Sequence, residues 1–81
     1  IADFTEAIRL EPKDAKTYRD RGATYGAKGD YDRVIADCTE AIRLAPRLAA
    51  AYHLRGMAYK QKLEDSKANA DFAEANRLGH K

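Results

Sequence analysis

Residues 35–48 have the sequence IADCTEAIRLAPRL, and ten of these fourteen residues are identical to those at positions 1–14, IADFTEAIRLEPKD. A weaker third copy, NADFAEANRLGHK, is found at residues 69–81. Corresponding residues of successive copies are 34 positions apart in this chain of 81 residues. A fixed spacing of this size indicates repeated structural units that stack on one another.

The segments between these copies repeat as well. Residues 15–34, AKTYRDRGATYGAKGDYDRV, are echoed by AAAYHLRGMAYKQKLEDSKA at residues 49–68. Tyr18, Gly22 and Tyr25 lie at positions i, i+4 and i+7, which places them on one face of a helix. The copies at residues 1–14 and 35–48 have the same helical period, and no pattern typical of a strand is present. We predict five helices, at about residues 1–10, 15–28, 31–44, 49–62 and 65–78.

The 34-residue unit of two helices resembles the tetratricopeptide repeat. The matching residues of the first full unit are Tyr18, Gly22, Tyr25, Ala41 and Pro46. Those of the second full unit are Tyr52, Gly56, Tyr59, Ala68, Phe72 and Ala75. The resemblance implies an all-α fold, a right-handed α-solenoid of antiparallel helix pairs with about five helices.

This resemblance covers the whole chain, so we predict a single domain over residues 1–81. The domain divides into a half repeat at residues 1–14, a full repeat at 15–48 and a full repeat at 49–81. Its last helix is predicted to be a cap, because Asn69 and Asn76 replace the isoleucines of the earlier copies and make the terminal surface polar.

Two departures from the family pattern carry structural predictions. Arg21 and Arg55 occupy a position where the family has Leu, and an unpaired buried guanidinium is costly. We therefore expect both arginines to pair with carboxylates, either within a unit (Asp37 and Asp71) or in the preceding one. Cys38 replaces the family's Phe, and we expect it to be a small buried apolar residue.

Composition excludes several classes of function. The net charge is +2, with both signs dispersed, so the chain offers no basic tract for nucleic acid. One Cys and two His cannot build a structural zinc site, and no nucleophile, base and orienting residue come together in the sequence. No apolar run is long enough to span a membrane, and no signal peptide is recognisable. We expect a cytoplasmic protein that is not an enzyme, requires no cofactor and binds neither membrane nor nucleic acid.

The family resemblance implies that the first helices of the repeats form a concave groove that binds a peptide or protein segment. The short side chains of Ala23 and Ala27 leave room for an extended chain, while Leu54 and Met57 supply an apolar patch. The predicted peptide-binding residues are Lys16, Arg19, Asp20, Ala23, Ala27, His53, Leu54, Met57, Lys60 and Gln61.

Some members of the family hold a ligand carboxylate with a clamp of Lys and Asn, but this chain does not match that pattern. Among the residues at the corresponding positions, only Arg19 has a suitable charge, and Asp20 would repel a carboxylate. We therefore expect a different protein ligand.

An alternative function is self-assembly as a structural scaffold. The first helix of the opening repeat is absent from the sequence. Either this helix belongs to a longer parent chain, or its absence leaves an apolar edge open to a second copy. The residues predicted to form this homodimer contact are Ile1, Phe4, Ala7 and Ile8.

Overall fold

The computed structural model describes residues 4–79, without the side chain of Phe4. This part of the chain forms five α-helices and contains no strand. The helices are α1 (Phe4–Leu10), α2 (Ala15–Ala27), α3 (Tyr31–Leu44), α4 (Ala49–Gln61) and α5 (Asp65–Arg77). The predicted all-α repeat fold is confirmed.

Aspartates fix the starts of α2 and α3. The Asp14 carboxylate accepts hydrogen bonds from the backbone N–H groups of Lys16 and Thr17, at 3.1 and 3.4 Å. Asp30 accepts a bond from the N–H of Arg33 at 3.4 Å. These bonds satisfy amide groups that have no partner within the first turn of a helix, which is why α2 and α3 begin at these positions.

Each repeat is a pair of closely packed helices. The pair α2 and α3 and the pair α4 and α5 make the most extensive contacts, and α3 packs on α4 to join the two repeats. Small residues dominate the core that these contacts bury. The fully buried apolar side chains are Val34, Cys38, Ala41, Ala51, Ala58, Ala68 and Ala75. The prediction that Cys38 is buried is confirmed, since none of its surface is exposed.

Glycine allows the closest approach between paired helices. A Cβ atom added to Gly56 would lie 2.8 Å from the Phe72 ring, inside van der Waals contact. In the first repeat, a Cβ added to Gly22 would lie 3.6 Å from the Sγ atom of Cys38, an ordinary contact. The large ring of Phe72 therefore requires glycine on the facing helix, whereas the smaller thiol leaves room for a methyl group.

Buried ion pairs join the two helices of each repeat. Arg21 donates from Nε and Nη2 to the two carboxylate oxygens of Asp37, both at 2.8 Å. Arg55 makes the same bidentate contact with Asp71, at 2.8 and 2.9 Å. Both aspartates are 5% exposed, and these bonds raise the pKa of each guanidinium. The predicted pairing of both arginines is confirmed.

Arg55 also links the two repeats. Its Nη1 atom donates to the Thr39 hydroxyl of α3 at 3.1 Å, while its Asp71 partner lies on α5. The guanidinium lies between the rings of Tyr52 and Tyr59, at 5.6 and 5.9 Å from their centres. The Arg55 side chain of α4 thus contacts α3 and α5 through hydrogen bonds and an ion pair, and it packs against two tyrosine rings of its own helix.

The turns inside the two repeats differ at the residue with a left-handed backbone. Gly29, between α2 and α3, has a φ of 79°, and the equivalent residue between α4 and α5 is Leu63, with a φ of 62°. The left-handed backbone is unstrained for glycine but unfavourable for a residue with a Cβ atom. The second repeat is therefore strained at a position where the first is relaxed.

We expect Leu63→Gly to stabilise the folded chain by about 0.5–1 kcal/mol, because the relief of strain exceeds the extra backbone entropy that glycine loses. The free energy of unfolding in urea measures the effect. The matched variant Gly29→Leu introduces the same strain into the first repeat and should be destabilising. Equal stabilities for all three chains would contradict this account of the turn.

Candidate functional site

A groove of about 250 Å³ lies between the first helices of the two full repeats. Its walls come from α2 and α4, and the start of α3 closes it from below. The lining residues are Ala23, Gly26, Ala27, Tyr31, Val34, Leu54, Met57, Ala58 and Gln61. The lining carries no formal charge, and the Tyr31 hydroxyl and the Gln61 amide are its polar side-chain groups.

Helical spacing brings these residues together. Ala23, Gly26 and Ala27 are at i, i+3 and i+4 on α2, so one face of this helix has almost no side-chain bulk. On α4, Leu54, Met57 and Gln61 are at i, i+3 and i+7, which places them together on the opposing wall. The wall of small residues and the wall of larger flexible ones create the depth of the groove.

The structure brings together half of the residues that the sequence predicted to bind a peptide. These are Ala23, Ala27, Leu54, Met57 and Gln61. Sequence reasoning missed Tyr31, Val34 and Ala58. Val34 and Ala58 are apolar and were recognisable as core residues, and they are indeed buried, 1% and 2% exposed. Nothing in the sequence shows that a core residue also closes a groove.

Four charged residues of the predicted site lie on the same two helices but do not line the groove. They are Lys16, Arg19, Asp20 and Lys60. Arg19 and Asp20 form an ion pair with each other, at 2.7 Å. The charge that the sequence analysis assigned to the binding face is thus partly neutralised within α2.

His53, another predicted binding residue, does not line this groove, and its part in peptide binding stays a prediction. The His53 ring packs against Phe72 of α5, with the ring centres 5.5 Å apart. Residues three positions apart are neighbours on a helix, so His53 lies beside Gly56, where Phe72 approaches α4. His53 therefore contributes to the packing of the second repeat.

The predicted self-association edge is only partly described. Ile1 and the side chain of Phe4 lie outside the described residues. Ala7 and Ile8 are half-buried in α1. Self-association through this edge stays a prediction. Asn69 and Asn76 are exposed on α5, and the role of this helix as a cap also stays a prediction.

The described residues do not offer the components of a metal site. In residues 4–79, His, Cys, Asp and Glu side chains nowhere form a group of three or more that could hold a metal ion. Within the same part of the chain, every helix is too short or too polar to cross a membrane. Burial raises the pKa of the Cys38 thiol to about 12, which makes this cysteine a poor nucleophile.

We expect Cys38 to react with a disulfide reagent about 1,000-fold more slowly in the folded chain than in urea at about pH 8, because only the thiolate attacks. The folded state holds the thiol proton more tightly than the unfolded state does. The contribution of this thiol to the free energy of unfolding is therefore complete below about pH 8.5 and is lost as the pH rises toward 12. Equal reaction rates in both states would show that Cys38 is accessible.

Comparison with known protein families supports the architecture. Residues 15–48, which form the pair α2 and α3, match the tetratricopeptide repeat. The comparison with curated proteins gave no significant match. The second helix pair repeats the first at a spacing of 34 residues and contains the same arginine–aspartate pair. Residues 15–48 therefore belong to the tetratricopeptide repeat family, and the five packed helices are consistent with a helical repeat solenoid.

Proposed function

We propose that the chain is a non-catalytic binding module that holds an extended segment of another protein in the groove between α2 and α4. Tetratricopeptide repeats generally mediate protein–protein interactions. The observation that carries the proposal is the wall of small residues at Ala23, Gly26 and Ala27, which faces the flexible Met57 side chain across an uncharged groove. Such a surface accommodates another chain without displacing packed side chains.

The lining determines the chemistry of the ligand. Most lining side chains are apolar, so the segment in the groove should present uncharged aliphatic side chains. Lys28 and Lys60 are adjacent in sequence to the lining residues Ala27 and Gln61. The carboxylates of Asp30 and Asp32, which flank Tyr31, already pair with Arg33 and Lys62, so the two lysines favour an acidic residue beside the apolar one. A volume of about 250 Å³ is below the range of about 300–1,000 Å³ for drug-sized ligands. The groove therefore takes one or two side chains, and its affinity should be modest.

A peptide library displayed on phage tests the proposal. After selection on the unmodified chain, we expect the enriched peptides to share an aliphatic residue next to an acidic one. Ala23→Trp places an indole ring in the groove and should abolish binding of these peptides. Ala36→Trp adds the same ring at an exposed position of α3 and is the matched control.

Peptides that bind the Ala23→Trp and Ala36→Trp variants equally well would contradict the proposal, because their site would then lie outside the groove. Circular dichroism of both variants shows that the helices are intact before binding is compared.

A further inference from the structure

Leu63 is the most exposed of the large apolar residues in the described part of the chain, with 87% of its surface accessible. It also has the left-handed backbone conformation that the first repeat assigns to Gly29. Exposure and strain both disfavour leucine at this position of an isolated chain. A contact that buries the side chain would offset the first of these costs.

The turn that carries Leu63 is held at the edge of the groove. Leu63 follows Gln61, the last residue of α4 and a lining residue, by two positions, so their Cα atoms are at most about 7 Å apart. The intervening Lys62 forms an ion pair with Asp32 of α3, next to the lining residue Tyr31. An apolar projection and an apolar groove therefore lie side by side on the molecule.

We propose that two copies of the chain form a weak symmetric dimer in which each Leu63 side chain occupies the groove of the other copy. This inference rests on the proposed function, since it takes the groove as a protein-binding site and names its occupant. When a projection and its complementary groove are adjacent on one surface, a two-fold axis brings both contacts together at once and closes the assembly at two chains.

Size and charge support a second copy as the occupant. The groove has an aliphatic lining and a volume suited to one or two side chains. Asp65 lies two positions after Leu63, while the intervening Glu64 pairs with Lys67 of its own chain. Lys28 and Lys60 are next to lining residues of the groove, whereas the carboxylates that flank Tyr31 already pair with Arg33 and Lys62. In the dimer, Asp65 of one copy approaches the lysines of the other. This is the same pattern, an apolar residue close to an acidic one, that the groove favours in a peptide.

Sedimentation velocity from about 10 μM to about 1 mM tests the dimer, because small interfaces dissociate in this range. We expect the unmodified chain to pass from monomer to dimer as its concentration rises. Leu63→Gly should lower the association constant at least tenfold, and it relieves backbone strain, so the loss would not come from unfolding. Ala23→Trp, which fills the groove, should have the same effect.

Leu10→Ala is the matched control, since Leu10 is also an exposed leucine but lies at the end of α1. This variant should associate as the unmodified chain does. A chain that stays monomeric throughout would overturn the dimer, and so would a dimer that survives Leu63→Gly or Ala23→Trp, or that is lost equally with Leu10→Ala.

Binding of the selected peptides distinguishes a failure of the dimer from a failure of the proposed function. A monomeric chain whose peptides are lost with Ala23→Trp would overturn the dimer and leave peptide binding in the groove intact. A dimer that depends on Leu63 and Ala23 would support the dimer. If the peptides also bound the Ala23→Trp variant unchanged, peptide binding in the groove would be contradicted. If both hold, the peptides should dissociate the dimer, because they compete with Leu63 for one groove.

Discussion

Arg55→Ala is expected to destabilise the chain by about 3 kcal/mol, because it leaves the Asp71 carboxylate buried without its cation. The same substitution removes the hydrogen bond to Thr39 and the contacts of the guanidinium with the Tyr52 and Tyr59 rings. Since Arg55 contacts both repeats, the loss should affect the whole chain. The free energy of unfolding in urea, followed by circular dichroism, measures it.

Two further variants identify the cause of that loss. Arg77→Ala removes an exposed arginine whose partner, Glu74, is one turn away on the same helix, and we expect no measurable change in stability. The double variant Arg55→Met with Asp71→Leu replaces the buried pair with apolar groups and should recover most of the stability. If Arg55→Ala were as stable as Arg77→Ala, the buried pair would not hold the repeats together.

Gly56→Ala should destabilise the chain by about 1–2 kcal/mol, although alanine is the better helix former by about 1 kcal/mol. The added methyl group would lie 2.8 and 2.9 Å from two Phe72 ring atoms and 3.3 Å from the backbone oxygen of Ala68. The ring must therefore move or the two helices must separate. Thermal unfolding of the variant measures the cost.

Gly22→Ala is the matched variant in the first repeat. Its methyl group would lie 3.4 Å or more from its neighbours, because Cys38 occupies the position of Phe72. Without a clash, the better helix propensity of alanine should stabilise the chain by about 0.5–1 kcal/mol. The same substitution is thus expected to have opposite signs in the two repeats. Equal effects would show that the close approach of the ring does not determine the requirement for glycine.

The fold was predictable from the sequence because the repeat spacing and the helical residue pattern are both periodic. The 34-residue spacing and the i, i+4, i+7 pattern locate the helices, and the structure begins and ends α2 to α5 within a residue of the prediction. The pairing of Arg21 and Arg55 was predictable for the same reason. Each arginine precedes an aspartate by sixteen residues, and the pair recurs in both repeats.

The candidate site was less predictable, because it depends on contacts between elements. Helical spacing identified Ala23 and Met57, but the contribution of Tyr31 depends on how the start of α3 passes beneath α2 and α4. The contact of the His53 ring with Phe72, beside Gly56, likewise depends on how α5 packs against α4. The strain at Leu63 became visible only from its backbone angle.

Methyl NMR tests most directly that the groove between α2 and α4 is the protein-binding surface. A selected peptide is titrated into chain labelled at its alanine, leucine, methionine and valine methyl groups. We predict that the largest shifts occur at the methyl groups of Ala23, Ala27 and Met57, all of which line the groove. Shifts confined to the exposed alanines of α3 and α5, at positions 36, 70 and 73, would contradict the proposed function.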